Sequence, residues 1–266
     1  MLIIVDVFIS NLFLSVQAAD YLGAYDQSTN FGIANDFNLF ILGNHTQSHV
    51  DSEGRVAVGG NATYSDYAVG SKLERSSTRA DLIIGGNVNI TSAQNLNGNT
   101  VISTKSNIIN YGMDRSNGVN NPIRADIIDF AAAGVFFENA SQAWSKCNIN
   151  GISQVKYGQL ILEGTNPDCN VFLIDGNNVE GSGLSLDTIY QINIIVPEGS
   201  TALINIKGNN IGFGNYAIFY KGLTATTENG QYYLWNFYEA TSLWNNNLAI
   251  KGSVLAPKAD WSQKDM

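Results

Sequence analysis

A chain of 266 residues, 44% hydrophobic and only 14% charged, is long and apolar enough to bury a full core. Its net charge of -9 and pI near 4.6 exclude the basic footprint that phosphate neutralisation needs, so no nucleic acid partner is expected, and an anionic membrane surface would repel it. No low-complexity linker interrupts it, and a single domain is expected.

The first residues, MLIIVDVFISNLFLSVQAAD, are apolar and end in small side chains. Residues 1–19 read as a secretory signal cleaved after Ala18 or Ala19, although no Lys or Arg precedes the run and Asp6 interrupts it; a buried strand is the competing reading. No later run is long and apolar enough to span a bilayer.

Short strings of β-branched and apolar residues follow, each ended by Gly or Asn: NLFILGN, RVAVGGN, LIIGGN, GQLILEG, NVFLIDGNN, ALINIKGNN and NLAIKGSVLAP. They are too short for helices and rich in strand formers. Gly and Asn reach the left-handed backbone of sharp corners, which accounts for the abundance of Gly, at 26 residues. VAVGGNATY is echoed by LIIGGNVNI, and LIDGNNV by INIKGNNI. Spacings of about 20 to 30 residues between echoes predict solenoid coils, with a sandwich of antiparallel sheets as the alternative of equal strand content.

One segment, NPIRADIIDFAAAGVFFENASQAWSKC, breaks the pattern and predicts a helix, with Asn121 as cap and Pro122 at the first helical position. Ile123, Ile127, Phe130, Gly134, Phe137 and Trp144 form its apolar stripe, expected to lie against the side of the solenoid, with Asn139 toward solvent.

LGAYDQSTNFGIANDFNLFILGN, DSEGRVAVGGNATYSDYAVGS, the IDFAAA helix, IVPEGSTALINIKG and GSVLAPKAD together resemble the choice-of-anchor A domain, an adhesive module of secreted and surface proteins. The resemblance runs from about Tyr21 to Asp260, so residues 20–266 are expected to be one such domain. It implies a mostly β fold like that of ice-binding proteins: a right-handed three-sided β-helix (β-solenoid) with one long α-helix packed along its side. The family is named for varied surface anchors that follow the domain. The closing WSQKDM carries no sorting motif or membrane tail, so a fragment or a simply secreted protein is expected.

Asp51 and Glu53 would share a strand face about 6–7 Å apart, near the spacing of inverting glycosidases. Arg55 has the same parity and would hold both ionised, so a structural ion pair among Asp51, Glu53 and Arg55 is favoured over catalysis. His45 and His49 share that parity and could bind a metal with the two acids, but the intervening TQS reads as a solvated loop. Asp66 and Asp81 match no calcium-loop spacing. Gly59, Gly60 and Asn61 lack the Lys and hydroxyl residue of a phosphate loop, and GFGNYA precedes a strand where a dinucleotide site needs a helix. There is no GxSxG elbow. Accordingly no catalytic residue, metal or cofactor is expected.

Cys147 and Cys169 could form a disulfide closing a loop of about 20 residues, or remain buried thiols. Asn44, Asn61, Asn89 and Asn139 each begin an N-x-S/T triplet and are glycosylation candidates. In QYYLWNFYEATSLW, alternate residues Tyr233, Trp235 and Phe237 are expected inside. Tyr232, Leu234 and Tyr238 would then face outward, under a loop or onto a ligand. The expected function is a non-enzymatic, secreted or cell-surface adhesin-like module presenting a rigid surface to a glycan or an extracellular protein. An ice-binding protein and a polysaccharide-active β-helix enzyme are the alternatives.

Overall fold

The computed structural model describes residues 2–4, 31–114 and 121–263; the cleavage site read at Ala18–Ala19 lies outside them. The described chain is mostly β, with parallel sheets stacked like a solenoid. It divides into two compact units, Ile33–Val135 and Phe136–Met266. No helix among the described residues is long and apolar enough to cross a membrane.

After β1 (Leu2–Ile4), the first unit contains β2 (Leu39–Ile41), β3 (His45–Ser52), β4 (Val56–Val58), β5 (Ala62–Val69), β6 (Ala80–Ile84), β7 (Val88–Asn95), β8 (Asn99–Ile102), β9 (Ile108–Asp114) and β10 (Ile123–Arg124). Consecutive strands alternate between two sheets, the even-numbered ones from β2 to β10 in one and β3, β5, β7 and β9 in the other. All neighbours are parallel, so each coil lies on the one before it: Val56 pairs with Leu82, Val58 with Ile84, and Ala62 with Val88. Val56, Val58, Leu82, Ile84, Val88 and Ile90 are each fully buried, and these stacked β-branched and leucine side chains form the unit's core.

The corners between β2 and β3, β4 and β5, and β6 and β7 depart from expectation. Gly59, Gly60, Gly85 and Gly86 do not have positive φ. They are glycines because coils approach closely: a Cβ on Gly60 would lie 2.6 Å from the Gly43 carbonyl oxygen, and one on Gly86 2.4 Å from that of Gly60. The asparagines that follow form a ladder. The Asn61 amide donates to Asn44 Oδ1 (2.8 Å), the Asn87 amide to Asn61 Oδ1 (2.8 Å), and the Asn107 amide to Asn87 Oδ1 (3.0 Å). Each side chain satisfies a backbone donor that the turn would leave unpaired.

Helix α1 (Phe130–Trp144) starts later than the periodicity predicts. Ile123 and Arg124 pair instead with Val101 and Ile102 as the last strand of their sheet, leaving Ile123 and Ile127 exposed. The cap is Asp129, whose Oδ1 accepts from the Ala132 amide at 2.9 Å. Within the first unit the Phe130 ring sits 5.4 Å from that of Phe40.

The second unit continues with β11 (Ile152–Lys156), β12 (Gln159–Glu163), β13 (Cys169–Asp175), β14 (Gln191–Ile195), β15 (Thr201–Lys207), β16 (Asn210–Phe213), β17 (Ala217–Tyr220), β18 (Leu223–Thr224), the one-turn α2 (Thr227–Gly230), β19 (Tyr233–Asn236), β20 (Ser242–Asn245), β21 (Ser253–Ala256) and β22 (Asp260–Gln263). Strands β13, β15, β19 and β21 pair in that order, all parallel, as do β16, β20 and β22. In the third group β12, β14 and β17 are parallel, with β11 and β18 added antiparallel at the margins. Phe213, Trp235 and Phe237 meet edge-on, at 5.6 and 5.5 Å, in the centre of this unit's core.

The C-terminal part of α1 is held to the second unit by a buried polar network. Ser141 Oγ donates to Asn236 Oδ1 (2.6 Å), and Asn236 Nδ2 donates to the Ser141 carbonyl (2.9 Å) and to Asn205 Oδ1 (2.7 Å). Asn205 Nδ2 in turn donates to the carbonyl of Trp144 (3.0 Å), meeting an orphan acceptor at the helix end.

Candidate functional site

In the first unit, the sheet of β3, β5, β7 and β9 carries exposed rows of short polar side chains. Thr46 pairs with Thr63, Thr63 with Asn89, and Asn89 with Asn110; in the next exposed row Ser48 pairs with Ser65 and Ser65 with Ser92. The regular pairing then breaks. His49 and Asp66, side by side on β3 and β5, both adopt left-handed backbone (φ 55° and 56°), and β7 and β9 shift register at the same level. Stacked bulges bend each coil and re-aim the side chains next to them.

Beside the bulges lies a groove of about 360 Å³, lined by three successive coils: His49, Val50 and Asp51; Asp66, Tyr67 and Ala68; Ser92, Ala93 and Gln94. His49 Nδ1 is 3.0 Å from Asp66 Oδ2, with both side chains largely exposed. Asp51 Oδ2 accepts from Ser71 Oγ at 3.1 Å, and Gln94 Nε2 donates to Asp114 at 3.3 Å. No lysine or arginine lines the groove.

Beneath it the sheet is tightly filled. His45 is buried, its Nδ1 2.9 Å from the Tyr64 hydroxyl, and Tyr67 shares a 2.6 Å hydrogen bond with Ser52. Burial holds the His45 imidazole neutral, pulling its pKa down to about 4, and pushes Tyr67 up to about 12. An unfolded chain takes up this proton near pH 6.5 while the folded one refuses it until about pH 4. Stability should therefore be complete above pH 6.5 and fall by about 3 kcal/mol as pH drops to 4. Urea denaturation across that range should show the slope in the native protein and a flatter profile in His45→Gln, which keeps a partner for Tyr64.

The predicted charge group does not assemble. Arg55 lies over the Phe37 ring at 4.3 Å, donates from Nε to the Ala80 carbonyl (2.9 Å) and faces Asp36 at 3.7 Å. Glu53 pairs with Lys72 at 2.8 Å, and Asp51 is in the groove. Partners from neighbouring coils displace the local ones, so Asp51, Glu53 and Arg55 form no shared ion pair among the described residues. His45 and His49 are likewise separated, one buried and one exposed, because the bulge cancels their common strand parity. Among the described residues no group of three His, Cys, Asp or Glu could hold a metal.

Leu234 is fully buried and unavailable to a ligand. It shares strand parity with Asn236, which bonds Ser141 of α1, so the face expected to be outward is covered by the helix. Tyr232 is half-buried, with its ring 6.2 Å from that of Tyr220, and half-buried Tyr238 gives its carbonyl to Gln142 Nε2 at 2.6 Å. Cys147 and Cys169 are both free, half-buried thiols rather than a bridge, and burial raises the pKa of each. Of the glycosylation candidates, Asn44, Asn61 and Asn139 are exposed and Asn89 is half-buried.

The groove's other lining residues, Val50, Ala68, Ser92, Ala93 and Gln94, carry no motif. Their only trace is the coil register, which pairs Asp51 with Ala68 and Ala68 with Gln94.

No curated protein and no solved structure gives a significant match to the chain. A family model does: that of the "putative ice-binding-like adhesive domain", which matches residues 30–265. With nearly its whole length matched, and parallel coils that present an exposed polar face, the chain belongs to this ice-binding-like adhesive domain family.

Proposed function

We propose that the protein is a non-catalytic extracellular adhesive module, and that the exposed face of β3, β5, β7 and β9 is its binding surface. Family membership carries the adhesive reading. The face supports its location: stacked parallel strands fix the rows of Thr, Ser and Asn and the groove beside them before any ligand arrives, so binding costs little ordering. Export is supported by the adhesive family and by the leader-like composition of residues 1–19, although Leu2–Ile4 form β1, which fits the competing strand reading. A right-handed three-sided β-helix is the proposed winding, supported in the second unit by the run from β14 to β20, which passes through three sheets in turn, and by the strong right-handed preference of parallel crossovers.

An ice-binding role would need a flat, regular face. The bulges at His49 and Asp66 bend this one, and its rows change from Thr to Asn along the stack. A polysaccharide-cleaving role is disfavoured by the separation of Asp51 and Glu53 into different contacts.

The purified protein should bind saturably to at least one surface in a panel of immobilised glycans, matrix proteins and cells. It should release no sugar from the glycans and cause no thermal hysteresis. Absence of saturable binding throughout the panel would sink the adhesive reading; hysteresis or released product would replace it with one of the alternatives.

A further inference from the structure

We propose that the groove on the first unit is a docking pocket for a cationic side chain, arginine or lysine, of a protein partner. The proposal rests on the adhesive reading and narrows it to a ligand chemistry. Three features of the groove carry it.

The first is charge. Asp51 and Asp66 flank the groove from adjacent coils, and no Lys or Arg lines it. Lys72, near in sequence, is engaged with Glu53. His49, the imidazole in reach of these acids, lies with its Nδ1 3.0 Å from Asp66 Oδ2. Two carboxylates with no lysine or arginine beside them in the lining, on a protein of net charge -9, complement a cation and repel an acidic ligand.

The second is the apolar part of the lining. Val50 and Ala68 lie on neighbouring strands, Val50 45% exposed and Ala68 half-buried. Arginine and lysine bury a methylene stem along apolar surface while keeping the charged head among polar groups, here the carboxylates, Ser92 and Gln94. At about 360 Å³ the groove lies at the small end of ligand pockets, a size for one long side chain rather than an extended polymer.

The third separates this ligand from a sugar. Sugar rings stack on open aromatic faces, and the groove's one phenol, Tyr67, is 2% exposed, with its hydroxyl bound to Ser52. The acids are the dominant chemistry the groove offers.

The test uses the whole protein and three fluorescent peptides, tetra-arginine, tetra-lysine and tetra-glutamine, read by anisotropy. Asp51→Asn and Asp66→Asn each remove one charge from an exposed position, and circular dichroism checks that both variants fold. Glu163→Gln removes the same charge from an exposed position on β12 of the second unit. The expected result is binding of both cationic peptides and not of tetra-glutamine, weakened about five-fold by each groove substitution and unchanged by Glu163→Gln. Equal weakening by all three substitutions would show attraction to net charge alone and overturn the pocket. So would failure of the peptides to bind, or loss of binding to a neutral oligosaccharide on substituting Asp51 or Asp66. A protein that still adheres to its surface with both acids replaced would lose this inference and keep the adhesive one.

Discussion

Replacing Arg79 with Met should destabilise the protein by about 3–5 kcal/mol, the range for stripping one partner from a buried ion pair. Asp81 is fully buried on β6, and Arg79 meets it with two hydrogen bonds, Nε to Oδ1 at 2.6 Å and Nη2 to Oδ2 at 3.1 Å. The surroundings leave the carboxylate no exit: a Cβ on Gly98 would lie 2.2 Å from Asp81 Oδ2, and one on Gly70 3.2 Å from the same atom. The loss is asymmetric. The Arg79 side chain is 30% exposed, so removing Asp81 releases a cation that can reach water, whereas removing Arg79 strands an anion that cannot. Arg79→Met should therefore cost more than Asp81→Asn, and Arg79→Met with Asp81→Leu should recover part of the loss. Urea denaturation of the three variants checks the order; a loss below about 1 kcal/mol for Arg79→Met, the scale of a surface pair, would show that the pair does not anchor this turn.

Asn236→Leu should cost about 3–4 kcal/mol, although it fills similar volume with a more apolar side chain. Asn236 makes three hydrogen bonds in the buried interior, two with Ser141 and one with Asn205. Leucine leaves the Ser141 hydroxyl, the Ser141 carbonyl and Asn205 Oδ1 without that partner, and each unsatisfied buried group costs about 1–3 kcal/mol, offset in part by the apolar gain. Because Asn205 also holds the Trp144 carbonyl, the damage should localise to α1. Hydrogen exchange should show faster exchange in the C-terminal turns of α1 than in β12 and β14. Uniform loss of protection across the unit would mean that the network is not what docks the helix.

Much of the coil repeat was legible. The echo between VAVGGNATY and LIIGGNVNI places Val58 against Ile84 and Ala62 against Val88, and that between LIDGNNV and INIKGNNI places Asp175 against Lys207, in each case as paired residues of neighbouring coils. Repetition is visible in sequence because stacked coils meet the same neighbours. What failed depended on partners that a linear pattern does not contain. Ile123 has helical spacing, but an open strand edge at β8 captures it. Strand parity put Leu234 outside, yet all four residues of β19 are buried, because a strand covered on both faces has no outer side. The glycine corners were explained only in part: Gly208 and Gly252 take the expected positive φ, at 122° and 93°, whereas Gly59, Gly60, Gly85 and Gly86 answer to the coil beside them rather than to their own dihedral angles. The groove was not legible at all, because it needs two left-handed residues, neither of them glycine, at one level of adjacent coils.

The parallel coils of the first unit also give it a direction of mechanical weakness. Its hydrogen bonds run from strand to strand, up the stack. A load pulling β3 away from β9 opens the interfaces between neighbouring strands one after another, like a zipper. A load drawn along the strands must shear a whole interface at once. An attachment site whose tether pulls in line with β3, β5 and β7 would thus hold far longer under flow than one that lifts the end coil away.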